Sequence, residues 1–108
     1  EDKEFMERLF RETVGNNDTY ETMIGDKTKN WDLERIALID IILLKMALSE
    51  ILNFPGIPVK VSINEYIDIS KDYSTPKSKI FINGVIDNIV ADLKAKNGIH
   101  KTGRGLLE

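Results

Sequence analysis

The sequence predicts an all-α fold, a compact bundle of about five helices, and three observations carry that reading. Apolar residues recur at spacings of three and four along most of the chain, and no stretch alternates apolar with polar as a half-buried strand does. The joins between periodic stretches carry helix punctuation: Gly15-Asn16-Asn17, Asn53-Phe54-Pro55-Gly56-Ile57-Pro58, Thr75-Pro76 and Asn97-Gly98. With 108 residues, 42% of them hydrophobic and 31% charged, the chain has the composition of one globular domain. A chain of this size buries roughly two thirds of its unfolded surface, enough for one modest core.

The first helix is expected from Asp2 to about Val14, with Phe5, Leu9 and Phe10 in helical spacing. Acidic residues crowd its first turn, where the helix dipole favours them. Asp18 is the candidate N-cap of a short second helix running to about Lys29, which Gly25 weakens. The third helix is expected from about Asp32 to Phe54, with Asp32 as its cap and Trp31 stapling the chain entry. Asp40 offers a second start near Ile39-Asp40. Between Ile36 and Leu52 the polar residues are Asp40, Lys45, Ser49 and Glu50, and they define no single wet face. A membrane span needs ~20 residues and tolerates mid-span charge poorly. The stretch therefore reads as a central helix contacted from several sides.

The fourth helix begins near Val59 and runs to about Tyr73, with Val59, Ile63, Tyr66, Ile67 and Tyr73 on one face. The fifth runs from Pro76 to about Lys96, with Thr75 as N-cap and proline at its first position. Ile82, Val85, Ile86, Ile89 and Leu93 form its core stripe. Beyond Asn97 the polar run Lys101-Thr102-Gly103-Arg104-Gly105 is expected to fray. The organisation expected is a helical domain over residues 1–97 and a flexible tail over 98–108. The chain opens on Glu1-Asp2-Lys3-Glu4 with neither an initiator methionine nor a basic-then-apolar leader, and reads as a piece of a longer protein.

Composition disfavours most chemistry. Without cysteine there is no disulfide, thiolate zinc site, iron–sulfur cluster or cysteine nucleophile. One histidine, His100, rules out multi-histidine metal sites. Asp40 and Glu50 point in different directions on their helix. Glu65, Asp68 and Asp72 read as a solvated face more readily than as a cation site. Gly103-Arg104-Gly105 lacks the strand-then-helix context of a phosphate loop. The expectation is a protein that is not an enzyme, with no cofactor and no metal.

The net charge is −3, yet residues 59–108 carry a basic excess. Lys60, Asn64 and Lys71 lie on one flank of the fourth helix. Lys77 and Lys79 open the fifth, where helix-start amides favour an anion. On the wheel of the fifth helix Ile80 lies almost opposite the core stripe and Phe81 at its edge, a candidate contact patch. The plainer readings are solvated lysines and burial of the two apolar residues against the 55–58 loop or against a further part of a longer parent chain.

Three stretches in order carry a resemblance: Asn30-Trp31-Asp32-Leu33-Glu34-Arg35-Ile36-Ala37-Leu38-Ile39-Asp40, then Ile57-Pro58-Val59-Lys60-Val61-Ser62-Ile63-Asn64-Glu65, then Tyr73-Ser74-Thr75-Pro76-Lys77-Ser78-Lys79-Ile80-Phe81-Ile82-Asn83-Gly84-Val85-Ile86-Asp87. Together they resemble the NusB family of bacterial transcription antitermination factors, over residues 30–95 most closely. The resemblance implies an all-helical fold of two small subdomains, this chain being the carboxy-terminal one plus a helix from the junction. It implies a cytoplasmic, RNA-binding protein that pairs with the ribosomal protein NusE. The pair binds boxA RNA and joins an RNA polymerase antitermination complex that suppresses premature termination of ribosomal RNA transcription, without membrane attachment.

The family's arginine-rich amino-terminal helix has no counterpart here, and Lys77 stands where the family often has an acidic residue. The RNA- or partner-binding residues expected are Lys77, Ser78, Lys79, Ile80 and Phe81, with Lys60. Among them Phe81 would stack on an unpaired base while Ser78 and Lys79 hold phosphate. Asn64, Glu65, Asn83 and Gly84 also match but read as structural, with Glu65 paired to Arg35 and Gly84 permitting close helix approach. The alternative function is that of a NusB-like accessory RNA-binding domain of a ribosomal RNA cytosine methyltransferase. A third reading is a purely structural subdomain.

Overall fold

The computed structural model describes residues 2–29, 37–73 and 75–107. Five α-helices lie among them: α1 (Asp2–Gly15), α2 (Asn17–Lys27), α3 (Leu38–Asn53), α4 (Val59–Tyr73) and α5 (Pro76–Ala95). A short 3-10 turn, Gly103–Leu106, follows, and no strand occurs among the described residues. The all-α expectation therefore holds. No helix among the described residues is long and apolar enough to cross a membrane.

Helix α3 is the centre of the bundle and packs against α1, α2, α4 and α5. That place accounts for its composition. Leu43, Leu44, Ala47, Leu48 and Ile51 are buried along one broad face, and Ser49, on another side of the helix, is buried as well. The core these apolar residues form is completed by Tyr20 and Ile24 of α2, Tyr66 and Ile67 of α4, and Phe81, Ile82, Val85, Ile86, Ile89 and Val90 of α5. On α4, Val59 and Ile63 pack at the margin of the core as their spacing predicts, whereas Tyr73 is exposed.

The helix ends are set by local chemistry. Asn16 alone separates α1 from α2, and its side-chain amide donates to Glu12 O at 2.9 Å. Asn16 rather than Asp18 takes the N-cap position, which moves Asp18 into the first turn of α2. That helix stops at Lys27, two residues before the expected Lys29, where the buried Thr28 turns its hydroxyl back onto Ile24 O at 2.9 Å. Helix α3 starts at Leu38 from an extended Ala37, and Asp40 lies in its first turn rather than at a cap. The expected cap Asp32 and staple Trp31 lie outside the described residues. Helix α5 starts as predicted, with extended Thr75 before Pro76. It closes on Asn97, which adopts φ 55°. Gly98 N–H reaches Leu93 O at 2.7 Å and Asn97 N–H reaches Lys94 O at 3.2 Å, a Schellman ending.

A carboxylate lies inside this core. Glu50 of α3 has no solvent exposure. Ser62 Oγ donates to its Oε1 at 2.9 Å and Tyr66 Oη donates to its Oε2 at 2.8 Å, both from α4. Burial, and then the bond to this carboxylate, push the Tyr66 phenol far above its ordinary value. Glu65 sits at the edge of the cluster. Its partial burial, followed by the charge of Glu50 and a hydrogen bond to it, raises its carboxyl above the usual range. The expected partner Arg35 lies outside the described residues. Elsewhere, Lys27 of α2 pairs with Asp92 of α5 at 2.5 Å, and this lysine holds the Asp92 carboxyl below its ordinary value.

The tail expected to fray is docked instead. Thr102 N–H donates to Pro55 O at 3.0 Å, Lys101 Nζ donates to Phe54 O at 3.0 Å, and Gly105 is buried. Its polar, glycine-bearing composition serves close contact with the α3–α4 turn, where backbone acceptors need donors.

Two outcomes follow from the Glu50 cluster. Tyr66→Phe leaves a buried carboxylate one donor short, and should lower the unfolding free energy in urea by about 1.5–3 kcal/mol. The folded pKa of Tyr66 lies above its unfolded value near 10.0. Its neutral form therefore contributes its full stability below that pH and loses it as pH rises through the folded value. In an alkaline titration the last part of the tyrosinate absorbance should appear only with unfolding, and that part should shrink in Tyr66→Phe.

Candidate functional site

Residues at the start of α5 divide sharply by helix face. Lys77, Lys79 and Ile80 are exposed, Ile80 by 70%, whereas Ser78 and Phe81 are buried, Phe81 to 4% exposure. The expectation for Phe81 as a base-stacking surface is thereby corrected. Helix α5 packs against α2, α3 and α4 at once, so its buried face is wider than one stripe and takes in the edge position. Phe81 supports the outer turn from beneath and does not present its ring to solvent.

Ser78 changes role for a similar reason. Its amide N–H already closes the first turn onto Thr75 O at 2.9 Å, and Pro76 has no N–H to offer. Two of the helix-start amides expected to hold phosphate are thus spent. What remains outward is a pair of lysines flanking an isoleucine.

Lys60 is exposed too, but it opens α4. Helix α4 has 15 residues, and α5 starts three residues after its end. A helix of that length puts Lys60 about 20 Å from the Lys77 end. The structure therefore places Lys77, Lys79 and Ile80 on one exposed turn, with the two lysines on either side of the isoleucine, and leaves Lys60 apart. Lys71, near the end of α4, is paired with Asp68 at 3.2 Å.

The acidic trio of α4 also separates. Asp68 faces Lys71, while Glu65 interacts with Glu50. Among the described residues no three His, Asp or Glu side chains are placed to hold a metal ion. Asn64, Asn83 and Gly84 are exposed. A Cβ added at Gly84 meets nothing within 4 Å among the described residues, so this glycine does not serve close helix approach.

One feature escaped the sequence reading. Met6, Phe10 and Val14 of α1 are exposed by 55%, 71% and 58%. With Ile42, Lys45 and Met46 of α3 they line an open apolar groove of about 590 Å³. The signal was present in the i, i+4, i+8 spacing of Met6, Phe10 and Val14, which gives α1 a second apolar stripe beside the one containing Leu9.

Comparison with known proteins places these features in context. A family model described as the NusB family matches residues 1–91. A protein of Salinibacter ruber named transcription antitermination protein NusB is 48% identical over 105 residues, covering 97% of this chain and 66% of its own length. A protein of the same name from Chloroherpeton thalassium is 41% identical, covering 98% of this chain and 50% of its own. The chain thus spans between half and just under two thirds of the length of these two relatives. A solved structure of T. maritima NusB superposes with a TM-score of 0.77 at 33% identity, over 83% of this chain and 63% of that one.

The two neighbours on α5 should separate in stability measurements. Phe81→Ala should cost about 3–5 kcal/mol, as for other buried aromatic truncations. Ile80→Ala should stay within about 0.5 kcal/mol of the parent. Urea unfolding of the two variants under one set of conditions checks both values.

Proposed function

The chain belongs to the NusB family, and from that membership we propose that it acts in transcription antitermination, binding boxA RNA together with NusE and without catalysing a reaction. The observation that carries the proposal is its 48% and 41% identity to proteins named transcription antitermination protein NusB, over nearly its whole length. The methyltransferase alternative has no comparable support. On this reading the protein works in the cytoplasm as part of an RNA polymerase complex that suppresses premature termination of ribosomal RNA transcription.

The start of α5 is the contact surface this reading uses. Lys77 and Lys79 supply two positive charges for phosphate, and such charges dominate RNA affinity through counterion release. Ile80 supplies an exposed apolar anchor for a protein partner. Ser78 and Phe81 act from below, holding the turn in place through Thr75 O and the core. Lys60 supplies a separate positive charge at the opposite end of α4.

Fluorescence anisotropy with boxA RNA, with and without NusE, tests the proposal. Selective binding of boxA over a scrambled RNA in the presence of NusE is expected. Equal affinity for both sequences contradicts it. The Lys77→Ala, Lys79→Ala double variant should weaken binding and reduce the slope of log affinity against log salt by about 0.7 for each phosphate that is no longer neutralised. Ile80→Ala should weaken NusE capture while leaving the melting temperature in place.

A further inference from the structure

Three successive carbonyls at the end of α3 each accept a hydrogen bond from far along the chain. Arg8 Nη2 of α1 donates to Asn53 O at 2.6 Å. Lys101 Nζ donates to Phe54 O at 3.0 Å, and Thr102 N–H donates to Pro55 O at 3.0 Å. A helix end leaves its last carbonyls without intrahelical partners. Here donors from the two opposite ends of the described chain supply the caps side by side.

Phe54 links the two sets of donors. Its ring lies 5.0 Å from that of Phe5 and 4.4 Å beneath the Arg8 guanidinium, so its side chain is the seat of α1. Its carbonyl is the seat of Lys101. Leu9 is the one fully buried residue among those described in α1, which otherwise lies against α3 with half-buried residues such as Phe5 and Thr13.

The tail approaches the turn as closely as a backbone can. A Cβ at Gly105 would fall 1.8 Å from Pro55 O and 2.9 Å from its carbonyl carbon, so no larger residue fits the seated tail. Gly103, at φ +52°, supplies the left-handed bend that brings Gly105 inward. Burial lowers the pKa of the Lys101 ammonium and the charge of Glu50 opposes that shift, which sets this lysine within electrostatic reach of the buried cluster.

We propose that residues 99–106 are a latch: seated on the α3–α4 turn, they fix the Phe54 platform and so determine how firmly α1 is held against α3. Unseated, the latch leaves Pro55 O without its Thr102 donor and Phe54 O with the Ile57 N–H alone, α1 loosens at its Phe5–Arg8 end, and the apolar groove between α1 and α3 widens. The core of α3, α4 and α5 keeps its own packing, with Ile99 of the latch lying at its margin. The device is a local opening equilibrium that couples the carboxy-terminal segment to the first helix.

Hydrogen exchange followed by mass spectrometry on the whole 108-residue chain tests the latch. Gly105→Val blocks seating by sterics, and Lys101→Met removes one donor while keeping the aliphatic stem. In Gly105→Val, amides of α1 and of residues 53–57 should exchange at least about tenfold faster, with protection in α4 and α5 unchanged. Lys101→Met should act on the same segments to a smaller extent. Unchanged α1 exchange while residues 99–106 exchange freely would overturn the proposal. So would equal acceleration in α1 and α5, because the tail would then stabilise the domain as a whole and not latch one helix.

Discussion

A carboxylate cut off from water must be met by hydrogen-bond donors, and that requirement fixes how α3 and α4 lie on one another. Glu50 is at the middle of the bundle with no exposure. Ser62 and Tyr66 are four residues apart on α4, on one face, and each takes one carboxylate oxygen. Sliding α4 by a residue would withdraw both donors at once. Apolar packing alone tolerates many registers; a buried charge with directional partners tolerates few. The arrangement gives the bundle a defined alignment as well as stability.

That alignment carries through to the surface. Helix α5 follows α4 after two residues, so the register of α4 sets where α5 begins. Phe81 and Ile82 then enter the core, and Lys77, Lys79 and Ile80 are left facing outward. The outward face is not built for a ligand in isolation. It is the remainder after the inward face has been satisfied, which is why the buried Phe81 directly follows the exposed Ile80 along the helix. The same end of α3 that follows Glu50 also gathers Arg8, Lys101 and Thr102 on its free carbonyls, so the amino- and carboxy-terminal segments meet on one turn.

Much of this fold was legible in the sequence. Thr75-Pro76 and Pro55-Gly56-Ile57-Pro58 constrain backbone torsions directly, and the edges of α4 and α5 fall where those residues require. Asn97 closes α5 because it tolerates a left-handed conformation. The misplaced features depend on contacts between distant residues. Glu50 read as an interruption of an apolar run, since its donors lie 12 and 16 residues further on. Phe81 read as an edge residue because one helix wheel does not reveal that three other helices surround it. The tail read as loose because its partners are carbonyls, which every residue possesses and no side-chain pattern reveals. For the candidate site, wheel geometry places Ile80 opposite the core stripe, where the structure has it exposed, whereas Lys60 is grouped with Lys77 and Lys79 by charge and is separated from them by the length of α4.

The role of Glu50 in organising the bundle is tested most directly by comparing urea unfolding of Glu50→Ala with that of Glu21→Ala. Glu21 is an exposed carboxylate on α2. Removing Glu50 strands two buried hydroxyls, at about 1–3 kcal/mol each. A loss of about 2–6 kcal/mol is predicted for Glu50→Ala, against a change within about 0.5 kcal/mol for the exposed site. Equal, small changes for both would show that apolar packing alone sets the fold, and would contradict the account.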